Sequence, residues 1–297
     1  MPNFLILGTA KAGTTALYYY LAQHPQIFMS PLKEPGFFAF EGERPKFQGP
    51  KDRVGINRKV VVHLEEYRKL FAGVLDEKAV GEASPWYLYS VRAHERIRHH
   101  TPNARLIAVL RNPIDRAYSH FMHLVRDGRE PLDDFAQAVQ SEEARIAANW
   151  AYHWHYVRAG FYYEQIKRYA DTFDRCQIKV YLYDDLDANP MNVLADIFSF
   201  LEVDEAFVPD VSVRYNVSGI PQNGFLRWYF TAPSSVKAVF KSLTPTPLWR
   251  AAVRHKNKRL VKPQLPLELR DQLKAVYQED ILRLQDLMEK DLSAWLN

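Results

Sequence analysis

Short apolar runs alternate along this chain with longer segments in which apolar side chains recur every three or four positions. Runs of strand character lie at 3–7, 27–29, 78–85 (ending in a polar turn), 104–110 and 178–183. Helical periodicity fills 16–23, 64–71, 94–100, 114–125, 132–148, 161–172 and 191–201, and a long helix is predicted over 268–296. Unbroken apolar runs such as Phe4-Leu-Ile-Leu7 and Leu106-Ile-Ala-Val-Leu110 are the pattern of strands buried on both faces. Strands separated by helices predict an α/β fold, a doubly wound parallel sheet with helices on both faces and right-handed crossovers, in one domain over 1–297.

Two regions break the pattern. Residues 41–58 mix Gly, Pro and charge without periodicity and read as a surface insertion. Residues 215–230, which bear Gly, Pro and aromatics, and 243–248, which carry two prolines, are irregular. Leu269, Leu273, Val276, Ile281, Leu284, Leu287, Met288 and Leu292 form a stripe that is expected to pack against the sheet.

Ligands in such folds bind beyond the C-terminal strand ends. That rule brings residues 8–15, 30–34, 82–87 and 111–119 to one edge. The first of these loops carries chemistry on its face. Gly8 and Gly13 bracket a tight turn between a strand and a helix N-terminus, so backbone N–H groups converge where the helix dipole favours an anion. Lys11, Ala12, Gly13, Thr14 and Thr15 form the cradle, with hydroxyls and one mobile positive charge. The spacing is P-loop-like, but Thr14 stands where a Walker A loop has its lysine, and the lysine sits earlier, at Lys11.

At the end of the buried strand 104–110, where a nucleoside triphosphatase often presents an aspartate to magnesium, stands Arg111, with Ser119 eight residues on. An arginine there grips a second phosphate, or else caps carbonyls or pairs with Asp115. Lys33-Glu34, flanked by Pro35, Phe37 and Phe38, offers a general base at the cleft mouth, or a plain surface ion pair. Glu82, Ser84 and Tyr87, with Lys33, are candidates to line a substrate pocket, or to cap the sheet. The ten histidines show no metal-ligand spacing and are assigned surface or partly buried roles.

Composition narrows the partners. Thirty-nine basic against 35 acidic residues give +4, which suits an anionic ligand but is too dispersed for nucleic acid. The single cysteine, Cys176, admits no intrachain disulfide and points to a reducing compartment. No leader and no transmembrane run are apparent, so a cytoplasmic protein is expected. Asn216-Val-Ser218 fits a glycosylation acceptor, a reading that an unexported chain does not use.

Gly8-Thr-Ala-Lys11-Ala-Gly13-Thr14-Thr15, Lys33-Glu34-Pro-Gly-Phe-Phe38 and Arg111-Asn-Pro-x-x-Arg116-Ala-Tyr-Ser119, in this order and spacing, resemble the sulfotransferases that use 3′-phosphoadenylyl sulfate (PAPS), in particular the heparan-sulfate-type branch and its soluble bacterial relatives. The resemblance implies that Lys11 to Thr15 hold the 5′-phosphosulfate and that Arg111 and Ser119 hold the 3′-phosphate. It implies that Glu34 is the catalytic base, that Lys11 stabilises the leaving charge, and that adenosine 3′,5′-bisphosphate is the product, with no metal. It places Lys258 and Arg259 on a basic loop over the nucleotide, although the family's glycine is missing there, and Tyr215 near the adenine. Gly36 stands where the family often has a histidine. The implied acceptor is a glycan, lipid or small metabolite with a hydroxyl or amine, its pocket shaped by 41–58, 128–156 and 214–241. Rival readings are a P-loop kinase or nucleoside triphosphatase, and a nucleotide-binding module without turnover. The motifs specify neither the acceptor nor the oligomeric state.

Overall fold

The computed structural model describes residues 1–213, 215, 219–221, 260–261 and 263–297. Strands β1 (Phe4–Gly8), β2 (Ile27–Met29), β3 (Ala79–Ala83), β4 (Arg105–Leu110) and β5 (Ile178–Leu182) form one sheet in the order β2-β3-β1-β4-β5. Every pairing is parallel, with Phe4 beside Gly81 on one side and Leu5 beside Leu106 on the other. This is the predicted α/β sheet. The alternation of side chains splits β1 between two cores: Phe4 and Ile6 enter one, Leu5 and Leu7 the other.

Helix α1 (Thr14–Leu21) follows β1, and α2 (Phe37–Phe40), α3 (Ile56–Lys59) and α4 (Leu64–Lys69) lie between β2 and β3. Helix α5 (Ala93–His100) precedes β4; α6 (Pro113–Arg126) follows it, opened by Pro113 and by the Asn112 side chain, which accepts from the amides of Ile114 and Asp115. Then come α7 (Phe135–Gln140), α8 (Glu142–Ala147) and α9 (Tyr163–Ala170), and after β5, α10 (Tyr183–Ala188), α11 (Pro190–Leu201) and α12 (Leu267–Met288). Helices α1 and α11 cover one face through Leu17, Leu21, Leu194 and Ile197; α5, α6, α9 and α12 build the core on the other. A short antiparallel pair joins β6 (Ile220–Pro221) to β7 (Leu260–Val261). No helix among the described residues is long and apolar enough to cross a membrane.

Two expectations change, and a third gains detail. The stretch 132–148 is two helices, broken at Ser141, whose hydroxyl donates to the Gln137 carbonyl at 2.8 Å. The C-terminal helix stops at Met288 and packs on α9 and α6 rather than on the sheet. Its polar side chains make that choice: the Asp280 carboxylate accepts from the Tyr162 amide at 2.7 Å and Tyr277 donates to the Val157 carbonyl at 2.9 Å. Segment 41–58 is largely exposed, as expected of a surface insertion, but it is anchored to the body of the protein. Ile56 joins the main core, Phe47 packs against it, and the fully buried Asp52 accepts from the Ala151 amide at 3.0 Å and from Arg129 at 3.2 Å.

The segment 129–156, which faces that insertion, is held by a buried ion pair. Arg145 donates to both oxygens of Glu130 at 2.7 and 2.8 Å, and Tyr156 donates to Glu130 at 2.6 Å. Removing one partner of such a pair strands a buried charge. Arg145→Met is therefore expected to lower the unfolding free energy by about 3–5 kcal/mol, and the double variant with Glu130→Met by clearly less. Chemical denaturation of the four proteins of that cycle checks this, and equal losses in the single and double variants would contradict it.

Candidate active site

Strand β1 delivers the chain to Gly8, where φ is +151° and an added Cβ would lie 2.7 Å from the Pro85 carbonyl oxygen. Gly13, at φ +86°, caps α1, whose first amides receive no side-chain cap. The amides of a helix's first turn have no partner within the helix, and the helix dipole favours an anion there. Between the glycines, Lys11 adopts φ +72° although it is not glycine. Such a residue costs about 1–3 kcal/mol, which its surroundings must offset.

The strain aims the Lys11 side chain inward. Its Nζ is buried and has no hydrogen-bond partner among the described residues. Burial, and then the charges of Arg126 and Arg111, push its pKa down to about 7, against the opposing pull of Asp127 and Glu34. A buried ammonium with no partner is an unfavourable state. An anionic group placed on it would relieve that state, so the site fits a phosphate or sulfuryl oxygen. Thr14 and Thr15 line the same cavity.

Arg111 touches this loop from its backbone side: its Nη1 donates to the Lys11 carbonyl at 3.1 Å, and its guanidinium sits 4.5 Å above the Tyr183 ring. The competing pairing with Asp115 does not form, because Asp115 binds Arg270 of α12. Ser119 lies within α6 and is fully buried. Arg111 and Ser119 do not border the cavity that Lys11 enters. Tyr215 stacks on Tyr19 with ring centroids 4.4 Å apart, on the exposed side of α1. Lys258 and Arg259 lie outside the described residues.

Glu34 is the second residue in a left-handed conformation at the cleft, with φ +62°. Its amide donates to the Ala83 carbonyl at 3.0 Å, and its exposed carboxylate accepts from Lys33. The loop is pinned from below. The Gly36 amide donates to Ser84 Oγ at 3.1 Å, Ser84 in turn donates to Glu82 at 2.9 Å, and the Phe38 amide donates to the Tyr87 hydroxyl at 3.3 Å. Glu82 and Tyr87 have no exposed surface. Burial raises the Glu82 pKa to about 7, opposed by hydrogen bonds from Tyr87, Ser84 and Tyr67. Of the residues expected to line a substrate pocket, Lys33 and Ser84 border a cavity, whereas Glu82 and Tyr87 support the loop from beneath.

Two adjoining cavities open here. The smaller, about 90 Å³, is bordered by Lys11, Thr14, Thr15 and Glu34; the larger, about 290 Å³, by Lys33, Glu34, Phe40, Ile56, Lys59 and Ser84. Glu34, Trp86, His123, Arg129 and His153 border both. A group passing from one to the other passes them.

The histidines are where the sequence reading fell short. His120, His123 and His153 border the small cavity, and burial first, then neighbouring cations or histidines, holds each well below the ordinary imidazole pKa. They are neutral near pH 7 and supply hydrogen bonds without further positive charge. His123 Nδ1 accepts from Arg126, and His120 stacks on Trp86 at 5.7 Å. Their signal was helical: Ser119, His120, His123 and Arg126 recur at spacings of three and four on α6. Arg129 and His153 had none, because tertiary packing alone brings them in. Among the described residues no cluster of His, Cys, Asp and Glu is arranged to hold a metal.

A family model described as "Sulfotransferase family" matches residues 2–207. The chain is 35% identical to a crystal structure of a sulfotransferase from Alicyclobacillus acidocaldarius, with a TM-score of 0.80 and coverage of 100% of this chain and 99% of that one. It is 23% identical, over 77% of its length, to the membrane-associated sulfotransferase kil1 of Dictyostelium discoideum. It is 29% identical, over 76% of its length, to the bifunctional heparan sulfate N-deacetylase/N-sulfotransferase 4 of Mus musculus. It spans 62% of the first of these curated proteins and 24% of the second. With the strand order, the loop geometry and these matches in agreement, the chain belongs to the sulfotransferase family.

Proposed function

We propose that the chain moves a sulfuryl group from PAPS to a hydroxyl or amine of an acceptor. The observation that carries this reading is the buried ammonium of Lys11, unpartnered among the described residues, beside a cavity that Glu34 also borders. PAPS, when bound, supplies the sulfuryl group and is released as adenosine 3′,5′-bisphosphate. Lys11, the α1 amides and the two threonines would hold the phosphosulfate, and Arg111 with Ser119 the 3′-phosphate.

Glu34 takes the acceptor's proton as the new bond to sulfur forms. The electron pair of the breaking S–O bond goes to the phosphate oxygen, where Lys11 stabilises it. Fixed donors do the positioning, and Lys11 and Glu34, both in left-handed backbone, border the same small cavity. A kinase reading is disfavoured by residue chemistry: β4 ends in Arg111, a phosphate ligand, where a magnesium site takes a carboxylate. The lone, exposed Cys176 supports placement in a reducing compartment, and the acceptor is a glycan, lipid or small metabolite.

Glu34→Gln is expected to lower turnover about 10²–10⁴-fold while leaving the affinity for adenosine 3′,5′-bisphosphate within about twofold. Steady-state kinetics with labelled PAPS and calorimetric titration read the two quantities. Parallel loss of both would contradict the assigned role, and tighter binding of ATP–magnesium than of the bisphosphate would contradict the donor.

A second outcome follows from Lys11. Its folded-state pKa near 7 means that the ammonium is present below that pH and lost above it, while an anion binds the ammonium form. Bisphosphate affinity should therefore fall as pH rises through 7, by up to about tenfold per pH unit, with proton uptake on binding. Lys11→Met should bind more weakly and abolish that slope; an unchanged slope in the variant would contradict the assignment.

A further inference from the structure

Sulfuryl transfer accounts for the small cavity but leaves the larger one without a stated occupant. That cavity shares Glu34, His123, Arg129 and His153 with the first, so an acceptor has its body in the larger space and its attacking atom at the common wall. Its volume of about 290 Å³ lies at the small end of ligand pockets, which run from about 300 to 1,000 Å³. It fits one ring or one sugar rather than a run of polymer.

The lining has two characters. Phe40, Ile56 and Val60 form an apolar side. Lys33, Lys59 and Arg129 bring three cations, against Glu34 as the one carboxylate on the wall. Lys33 is matched by Glu34, and Arg129 by the buried Asp52 behind it. Lys59, the last residue of α3, is paired with no carboxylate among the described residues. Arg129 keeps a further donor: its Nε is buried and makes no hydrogen bond there. One exposed positive charge, Lys59, and one buried donor of Arg129, a residue that borders both cavities, are therefore left over.

We propose that the acceptor is a small molecule which carries, besides the hydroxyl or amine to be sulfated, an anionic group, carboxylate or phosphate-like, held by Lys59 and Arg129. Its apolar part rests on Phe40, Ile56 and Val60. The assignment rests on the sulfotransferase reading and deepens it. Segment 41–60, far from being ornamental, then sets specificity, since it supplies Lys59 and most of the apolar wall.

The test uses the full chain saturated with adenosine 3′,5′-bisphosphate and three probes: 4-hydroxyphenylacetate, (4-hydroxybenzyl)phosphonate and the neutral 4-hydroxyphenylacetamide. Ligand-observed NMR titration should show at least one anionic probe binding about tenfold or more tighter than the amide, the advantage a charge-assisted bond confers. Which anion leads tells carboxylate from phosphate. Lys59→Ala should reduce the preference below about threefold, and Lys59→Arg should keep it. Equal affinities for the three probes, no binding of either anion, or a preference that survives Lys59→Ala would overturn the proposal while the donor reading stands. Failure of the bisphosphate itself to bind would instead overturn the donor reading, and this assignment with it.

Discussion

The site depends on a buried ammonium that no hydrogen-bond acceptor among the described residues engages. Lys11 is buried, lies near Arg111 and Arg126, and meets no hydrogen-bond acceptor among the described residues. A protein interior does not keep such an arrangement for stability, since burial of an unpaired charge opposes folding. It persists because the turn leaves the side chain no other direction. Gly8 passes against Pro85, Gly13 opens α1, and Arg111 holds the Lys11 carbonyl. The energy withheld in folding is recovered when an anion arrives, which is how a site favours a charged donor over water.

Topology brings the other parts to that ammonium. With β1 between β3 and β4, the loops after three neighbouring strands share one edge, and β2 beside β3 adds the fourth. Hence Lys11, Trp86, Glu34 and the second half of α6, through His120, His123 and Leu124, border one cavity although they come from separated parts of the chain. Two of them, Lys11 and Glu34, share an uncommon trait, a left-handed backbone outside glycine. Each is clamped by the sheet: Lys11 through Arg111 at the end of β4, Glu34 through the Ala83 carbonyl at the end of β3. Strain held in this way positions side chains more sharply than a relaxed loop does.

Much of this was legible in the sequence. The five strands announce themselves because burial on both faces forces unbroken apolar runs. The glycine-bracketed turn announces the cradle because only a few residue types suit it. What was not legible depends on distant contacts. Asp52 and Arg129 meet across 77 positions, a contact that anchors a largely exposed insertion and leaves no local trace in the sequence. Glu82 looked like a pocket residue because a carboxylate at a strand end usually faces solvent; here Tyr67, Ser84 and Tyr87 supply enough hydrogen bonds to bury it. The histidines of α6 looked ordinary because a helix face has no meaning until something is packed against it.

The central claim concerns one titration. Solution NMR of selectively labelled lysine, with Lys11 assigned by substitution, measures the pKa of its side chain directly in the free protein and with adenosine 3′,5′-bisphosphate bound. The structure predicts a midpoint of about 7 in the free protein and a clear rise on binding. A midpoint at the ordinary lysine value of about 10.4, unmoved by the nucleotide, would mean that this ammonium is solvated and that the account built on it is wrong.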